Sequence, residues 1–112
     1  QGYGEFMTWR ACFFYYEASG KQEVKDFLVK CLSLPSVYRR VPAQCARGGW
    51  ACNDLFPAWA AYALTGEDRF LKENHLFLKY LMSRDRFPWG GVDVHYFLNA
   101  LHERGELEAF CS

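Results

Sequence analysis

The sequence lacks an excess of charge of either sign, a long apolar run and any segment resembling a cleavable signal. Its 13 lysines and arginines balance 13 aspartates and glutamates, so the formal net charge at pH 7 is zero. A neutral chain has no strong nonspecific attraction to nucleic acid or to an anionic membrane. No apolar run approaches the roughly 18 residues that cross a bilayer. We therefore expect no membrane contact and an intracellular location, in the cytoplasm or the nucleus.

No linker and no low-complexity segment divides the 112 residues, a length typical of one domain. Half of the residues are apolar (51%) and 19% are aromatic, which is enough to build a core. The first six residues, QGYGEF, resemble an expression-tag remnant. We therefore predict a single helical domain over 7–112.

Five cysteines at irregular spacing do not form an obvious disulfide framework. Without an export signal, we interpret them as reduced, small apolar side chains. If the compartment is oxidising instead, Cys45 and Cys52 are the expected disulfide pair.

Periodic apolar residues predict helices along most of the chain. The clearest helix is 67–83, where one arc at about 100° per residue holds Phe70, Leu71, Asn74, Phe77, Leu78, Leu81 and Met82. Further helices are predicted over 55–65 and 92–104 and in the segment KQEVKDFLVKCLSL. The predicted apolar stripes of the last two are Val94, Phe97, Leu98 and Leu101 in 92–104, and Val24, Phe27, Leu28 and Cys31 in KQEVKDFLVKCLSL. The segment TWRACFFYYEAS also fits a helix, through Trp9, Cys12, Phe13 and Tyr16, although its run of aromatic residues suits a strand as well.

Three lone glycines, Gly20, Gly66 and Gly105, each follow an apolar segment and precede charged residues. Glycine adopts the left-handed conformation that ends a helix and lets the chain reverse. In the helix before Gly66, Pro57 fits only the first turn, and four alanines allow a neighbour to approach closely. These features predict an all-α fold, a compact bundle or short stack of antiparallel helical hairpins with five to seven helices.

The glycine-ended segments resemble the helical hairpins of tetratricopeptide and pentatricopeptide repeats. The resemblance rests on Tyr16, Tyr62 and Leu101, each four residues before its glycine, and on the segment FLNALHERGELEAF. The glycines are 46 and 39 residues apart, whereas those families repeat every 34 or 35 residues. We interpret the resemblance as shared hairpin physics.

Acidic residues are absent from Phe27 to Asn53, a stretch that contains Tyr38 and a set of basic and aromatic candidates. These candidates for partner binding are Arg39, Arg40, Arg47 and Trp50. Arginines beside exposed aromatic rings suit phosphate, carboxylate or base stacking. The alternative is an ordinary solvated loop in which Trp50 fills the core.

Leu76 and Tyr80, one turn apart, point away from the apolar arc of the 67–83 helix and form a second candidate surface. Such a pair docks a partner helix or is covered by another helix of the same domain. Asn74 lies within the arc, where a buried amide must find partners. We expect it to bond to neighbouring backbone and fix the register, the alternative being contact with a ligand.

Metal ligation would draw on Cys45, Cys52, His95 and His102. The two histidines are two helical turns apart, roughly 10 Å along the axis, which is too far for one zinc ion. No flanking pattern marks a catalytic cysteine or a carboxylate pair, so we expect no cofactor and no catalysis. The expected function is a non-catalytic protein–protein interaction module, which includes self-association. An RNA- or DNA-binding domain using the basic 30–50 connection is the alternative, and a small enzyme or metal-binding domain is the third.

Overall fold

The computed structural model describes residues 3–40, 55–82 and 94–108, and these residues form seven helices and no strand. In chain order the helices are α1 (Tyr3–Ser19), α2 (Gln22–Leu32), α3 (Pro35–Tyr38), α4 (Phe56–Thr65), α5 (Arg69–Lys72), α6 (His75–Met82) and α7 (Val94–Glu103). The all-α prediction is confirmed, and the strand alternative for the aromatic run in α1 is wrong. Because α1 begins at Tyr3, it includes part of the segment that resembles a tag, whose origin stays a prediction.

All three predicted glycine ends adopt the left-handed conformation, with φ of 68° at Gly20, 76° at Gly66 and 75° at Gly105. The amide of Gly20 donates to the carbonyl of Tyr16, and the amide of Gly66 donates to that of Tyr62, both at 2.7 Å. Each of these bonds satisfies a carbonyl that the helix end would otherwise leave without a partner. After Gly20 the chain reverses, and α2 packs against α1.

The alanine-rich helix α4 lies at the centre of the described fold and contacts α1, α2, α3, α5 and α7. Ala58, Ala60 and Ala61 are fully buried, and Pro57 lies in the first turn, where its missing N–H costs nothing. Small side chains let several helices approach one backbone closely. The sequence-based prediction of a closely approached helix at 55–65 is confirmed.

Aromatic rings connect α4 to its neighbours α1 and α7. The Phe13 ring lies edge-on to those of Phe56 and Trp59, with centroid distances of 5.6 and 5.3 Å. The ring centroids of Tyr96 and Trp59 are 4.7 Å apart. Edge-to-face contacts at these distances add about 0.5–1.5 kcal/mol each beyond their buried area. This aromatic cluster fixes α1 and α7 against the same two rings of α4, Phe56 and Trp59.

The predicted stripe of α2 is partly wrong. Leu28 is fully buried as expected, but Phe27 is 51% exposed, and Leu32 completes the buried face. Phe27 is the residue before Leu28, so its side chain lies about 100° around the helix from the buried line. On α7, Phe97 and Leu101 are buried as predicted, together with Ala100.

The predicted continuous helix over 67–83 is also wrong, because the chain is broken at Glu73 and Asn74 into α5 and α6. The backbone amide of Asn74 donates to the carbonyl of Leu71 at 3.1 Å, which is the three-residue spacing of a tighter 3₁₀ turn. The Asn74 carbonyl then accepts the Leu78 amide at 2.9 Å, as the helix resumes. The predicted apolar arc is preserved across this break in its described part, Phe70, Leu71, Asn74, Phe77 and Leu78, all of which are buried.

Candidate functional site

Asn74 is fully buried, and its side chain bonds to three backbone groups. Its Oδ1 accepts the Arg40 amide at 2.8 Å, and its Nδ2 donates to the carbonyls of Tyr38 at 3.1 Å and Phe70 at 2.9 Å. In an uninterrupted helix the Phe70 carbonyl would accept the backbone amide of Asn74. Here it accepts the side-chain amide of Asn74, which replaces the hydrogen bond that the break removes. The prediction that Asn74 bonds to neighbouring backbone is confirmed. That these bonds fix the packing register stays a prediction.

Tyr38 is buried at the end of α3, and the expectation of an exposed ring beside the arginines is wrong for this residue. Its ring lies edge-on to Phe70 at 4.8 Å, and its hydroxyl donates to Glu73. Arg69 covers the outside of this pair, with its guanidinium 4.2 Å from the Phe70 ring centroid. Pro35 begins a short helix within the basic 30–50 connection, and Tyr38 is buried at the end of this helix.

Arg39 is exposed but paired with an acidic residue from a distant part of the chain. Its Nη2 and Nε lie 2.6 and 3.1 Å from Glu73 Oε1, which also accepts the Tyr38 hydroxyl. The Tyr38 hydroxyl, followed by the Arg39 guanidinium, lowers the pKa of Glu73. The local lack of acidic residues around Arg39 is therefore compensated in three dimensions, and Glu73 neutralises the guanidinium.

Arg40 is partly buried and bonds to the backbone that precedes it. Its Nη1 donates to the carbonyls of Val37 at 2.8 Å and Arg39 at 3.3 Å, while its amide belongs to the Asn74 site. Arg40 therefore contributes to the end of α3, and the other two candidates of this group, Arg47 and Trp50, lie outside the described residues.

A second polar cluster connects the ends of α4 and α7. The Arg104 Nη1 lies 2.7 Å from Asp68 Oδ1, and its Nη2 lies 2.8 Å from Glu106 Oε2. Bonding to Tyr62, followed by bonding to Glu106, raises the pKa of Arg104. Both helices direct the negative end of their dipoles to this point, so a cation here stabilises both ends.

The outward side of α1 presents apolar residues to solvent. We call the surface formed by Ala11, Phe14, Tyr15 and Ala18 the α1 outer face; all four are exposed, Phe14 by 48% and Tyr15 by 49%. These positions follow the spacing i, i+3, i+4 and i+7, which places them on one side of a helix. Sequence reasoning assigned only the inward stripe of α1, although the same spacing repeated on its other side was the available signal.

Leu76 is 79% exposed on α6, which agrees with its predicted direction away from the arc. Tyr80 is only partly exposed and packs against the core, with its ring 6.2 Å from that of Phe77. The structure therefore separates the predicted pair into an exposed leucine and a tyrosine that contributes to packing.

Among the described residues, no group of three or more histidine, cysteine, aspartate or glutamate side chains could hold a metal ion. His102 is exposed and borders an open depression with Gly105, Leu107 and Glu108. The other candidate ligands, Cys45, Cys52 and the side chain of His95, lie outside the described part. Cys12 and Cys31 are partly buried free thiols.

Comparison with known proteins found no matching family model, no matching curated protein and no matching solved structure. The resemblance to helical-hairpin repeats therefore extends to the all-helical architecture and the glycine helix ends, and membership of a repeat family is unsupported. Within the described segments, no helix has the length and apolar character needed to cross a bilayer.

Proposed function

We propose that this chain is a non-catalytic protein–protein interaction module. The observation that carries the proposal is the α1 outer face, where two consecutive aromatic residues, Phe14 and Tyr15, are both about half exposed. A helix that is apolar on both sides normally has a covering partner on each of them. The inner side of α1 packs on α4 through Phe13. On the outer side Phe14 borders Phe56 and Lys21 lies over the Tyr15 ring, yet about half of each aromatic side chain stays open to another protein.

Aromatic residues support this proposal because they contribute large contact areas at protein interfaces. Phenylalanine and tyrosine bury about 150–250 Å² each when fully covered, and tyrosine is enriched among the residues that dominate binding energy. Leu76 is a second, smaller apolar contact on α6. Arg39 and Arg40 contribute less than their sequence context predicts, because Glu73 pairs with the first and backbone carbonyls bind the second.

Site-specific photocross-linking in the source cells tests the proposal. A photoreactive phenylalanine analogue replaces Phe14, Leu76 or, as the control, the exposed Glu23 of α2. We expect cross-linked protein at position 14, with or without position 76, and none at position 23. The captured protein is identified by mass spectrometry and titrated against the purified chain, where Phe14→Ser should abolish binding.

The same experiment separates the nucleic-acid alternative. Cross-linked species that disappear on nuclease treatment, or binding that weakens steeply with added salt, would support an RNA- or DNA-binding domain. Equal labelling at positions 14, 76 and 23, or none at all three, would contradict an interaction module that uses these faces.

A further inference from the structure

We propose, building on the interaction function above, that a second copy of this chain docks on the α1 outer face, with the two α1 helices antiparallel about a two-fold axis. The pattern along this face is symmetric: alanine at 11, aromatic residues at 14 and 15, and alanine at 18. A two-fold axis perpendicular to α1, midway between Phe14 and Tyr15, places Ala11 opposite the second copy's Ala18. It also brings the two Phe14 rings together on one flank and the two Tyr15 rings together on the other.

Charged residues on one flank of the face have the same symmetry. Arg10 and Glu17 are seven residues apart, so they lie within about 20° of each other around the helix and about 10 Å apart along it. Within one copy this separation is too large for an ion pair, which needs about 4 Å. The two-fold axis brings each Arg10 to within about 3 Å, along the helix axis, of the second copy's Glu17.

This arrangement is isologous, meaning that each copy contributes the same residues and each contact occurs twice. The guanidinium of Arg10 lies 4.6 Å from the Phe56 ring centroid, which holds it on the flank that Phe14 shares. Because the net charge is zero, two copies do not repel each other at long range.

The size of the face sets the strength of the contact. Two half-exposed aromatic rings and two alanines provide well below the roughly 800 Å² per partner of a standard stable interface. We therefore expect a weak dimer that forms with rising concentration.

Sedimentation equilibrium of the full chain over an approximately hundredfold concentration range is the first test. The expected result is a monomer–dimer equilibrium that Phe14→Ser combined with Tyr15→Ser removes, while circular dichroism shows unchanged helix content. The control is the pair Glu23→Ser and Asp26→Ser on the exposed side of α2, which should leave the equilibrium unchanged.

Charge reversal tests the register. Arg10→Glu or Glu17→Arg alone places like charges opposite each other twice and should weaken the dimer about tenfold. The double variant Arg10→Glu with Glu17→Arg restores opposite charges and should restore the dimer. Restoration reports a contact between copies, since within one copy the two residues are too far apart to pair.

Cysteine cross-linking gives an independent measurement, in case Arg10→Glu disturbs the packing on Phe56. In an equimolar mixture of Ala11→Cys and Ala18→Cys chains, oxidation should produce the 11–18 disulfide between copies. The 11–11 product should be scarce, because those positions are about 10 Å apart along the axis and a disulfide needs Cα atoms within about 7 Å.

The proposal is overturned if the chain stays monomeric at every concentration, if the dimer survives the Phe14 and Tyr15 changes, or if neither restoration nor the 11–18 disulfide is observed. A monomeric chain whose position 14 still cross-links a different protein in cells would overturn this inference alone and leave the proposed function standing.

Discussion

Replacing Asn74 by alanine tests the hydrogen bonds that connect the end of α3 to the break between α5 and α6. We call this connection the joint. The change removes the amide that bonds to the backbone of Arg40, Tyr38 and Phe70, all within 2.8–3.1 Å. The one N–H donor and the two carbonyl acceptors are held in fixed positions by the backbone, so they cannot bond to each other instead. Since Asn74 is fully buried, water reaches them only if the packing opens.

The expected loss is large for one substitution. Each of the three bonds contributes about 1 kcal/mol net, and leaving buried partners unsatisfied raises the total cost to about 3–5 kcal/mol. A small domain has about 5–15 kcal/mol of stability in all. Urea denaturation followed by far-ultraviolet circular dichroism measures the change in unfolding free energy, and the melting temperature should fall by more than about 12 °C.

Asn74→Asp adds a pH signature that a void alone would not give. The aspartate keeps the acceptor for the Arg40 amide but directs a negative charge at the carbonyls of Tyr38 and Phe70. Burial and these carbonyls would raise the folded pKa of the new carboxyl above its unfolded value of about 3.9. The penalty is then complete above the folded pKa and is relieved as the pH falls toward the unfolded value. This variant should therefore become more stable, relative to the Asn74→Ala protein, on mild acidification.

Asn99 provides the matched control, since it is an exposed asparagine on the helix α7. Asn99→Ala should be neutral or slightly stabilising, because alanine has the higher helix propensity. If Asn74→Ala costs no more than Asn99→Ala, the three hydrogen bonds do not hold the joint together and the reasoning is refuted.

Three further changes test other parts of the fold. Gly66→Ala should lower the unfolding free energy, measured by urea denaturation, by about 1–2 kcal/mol. The cost comes from the backbone, since φ is +76° and no atom lies within 4 Å of an added Cβ. A smaller cost for Gly66→Ala than for Gly66→Asn would contradict this. Glu73→Gln should reduce the loss of unfolding free energy on acidification below pH 4.5. The folded pKa of the Glu73 carboxyl is lowered, so the carboxylate contributes stability that is present above its unfolded pKa and lost as the pH falls through its folded pKa. An unchanged pH profile would argue against the Tyr38 and Arg39 contacts. Arg104→Lys should lower the melting temperature at low salt and lower it less at high salt. One ammonium group cannot bridge Asp68 and Glu106 in the geometry of the guanidinium. An equal effect at both salt concentrations would exclude the charge pairs as its cause.

The sequence was sufficient to predict features that depend on neighbours along the chain. The left-handed glycines, the inward stripes of α1 and α7 and the alanine-rich centre of α4 follow from local periodicity and from the conformational freedom of glycine. Asn74 was recognisable as a buried amide for the same reason, because the apolar arc continues on both sides of it.

Features that join distant segments were not predictable in this way. Arg39 and Glu73 are 34 residues apart, so the basic segment gave no sign of its acidic partner. The burial of Tyr38 depends on Phe70 and Glu73, which the chain reaches only after α4. The helix α4 packs on the Phe13 side of α1 and reaches the α1 outer face only at Phe14. Periodicity cannot show which of two apolar sides a neighbour covers.

Stability and association should therefore be separable in this chain. Buried hydrogen bonds join Asn74 to Arg40, Tyr38 and Phe70. The α1 outer face contacts other residues, since Phe14 borders Phe13 and Phe56 and Tyr15 borders Lys21. Substitutions more than about 7–10 Å apart with no shared partner act additively. Asn74→Ala should thus lower the unfolding free energy while leaving the dimer constant unchanged at temperatures where the chain stays folded, and Phe14→Ser with Tyr15→Ser should do the reverse. If instead each change altered both quantities, the face and the joint would belong to one cooperative unit.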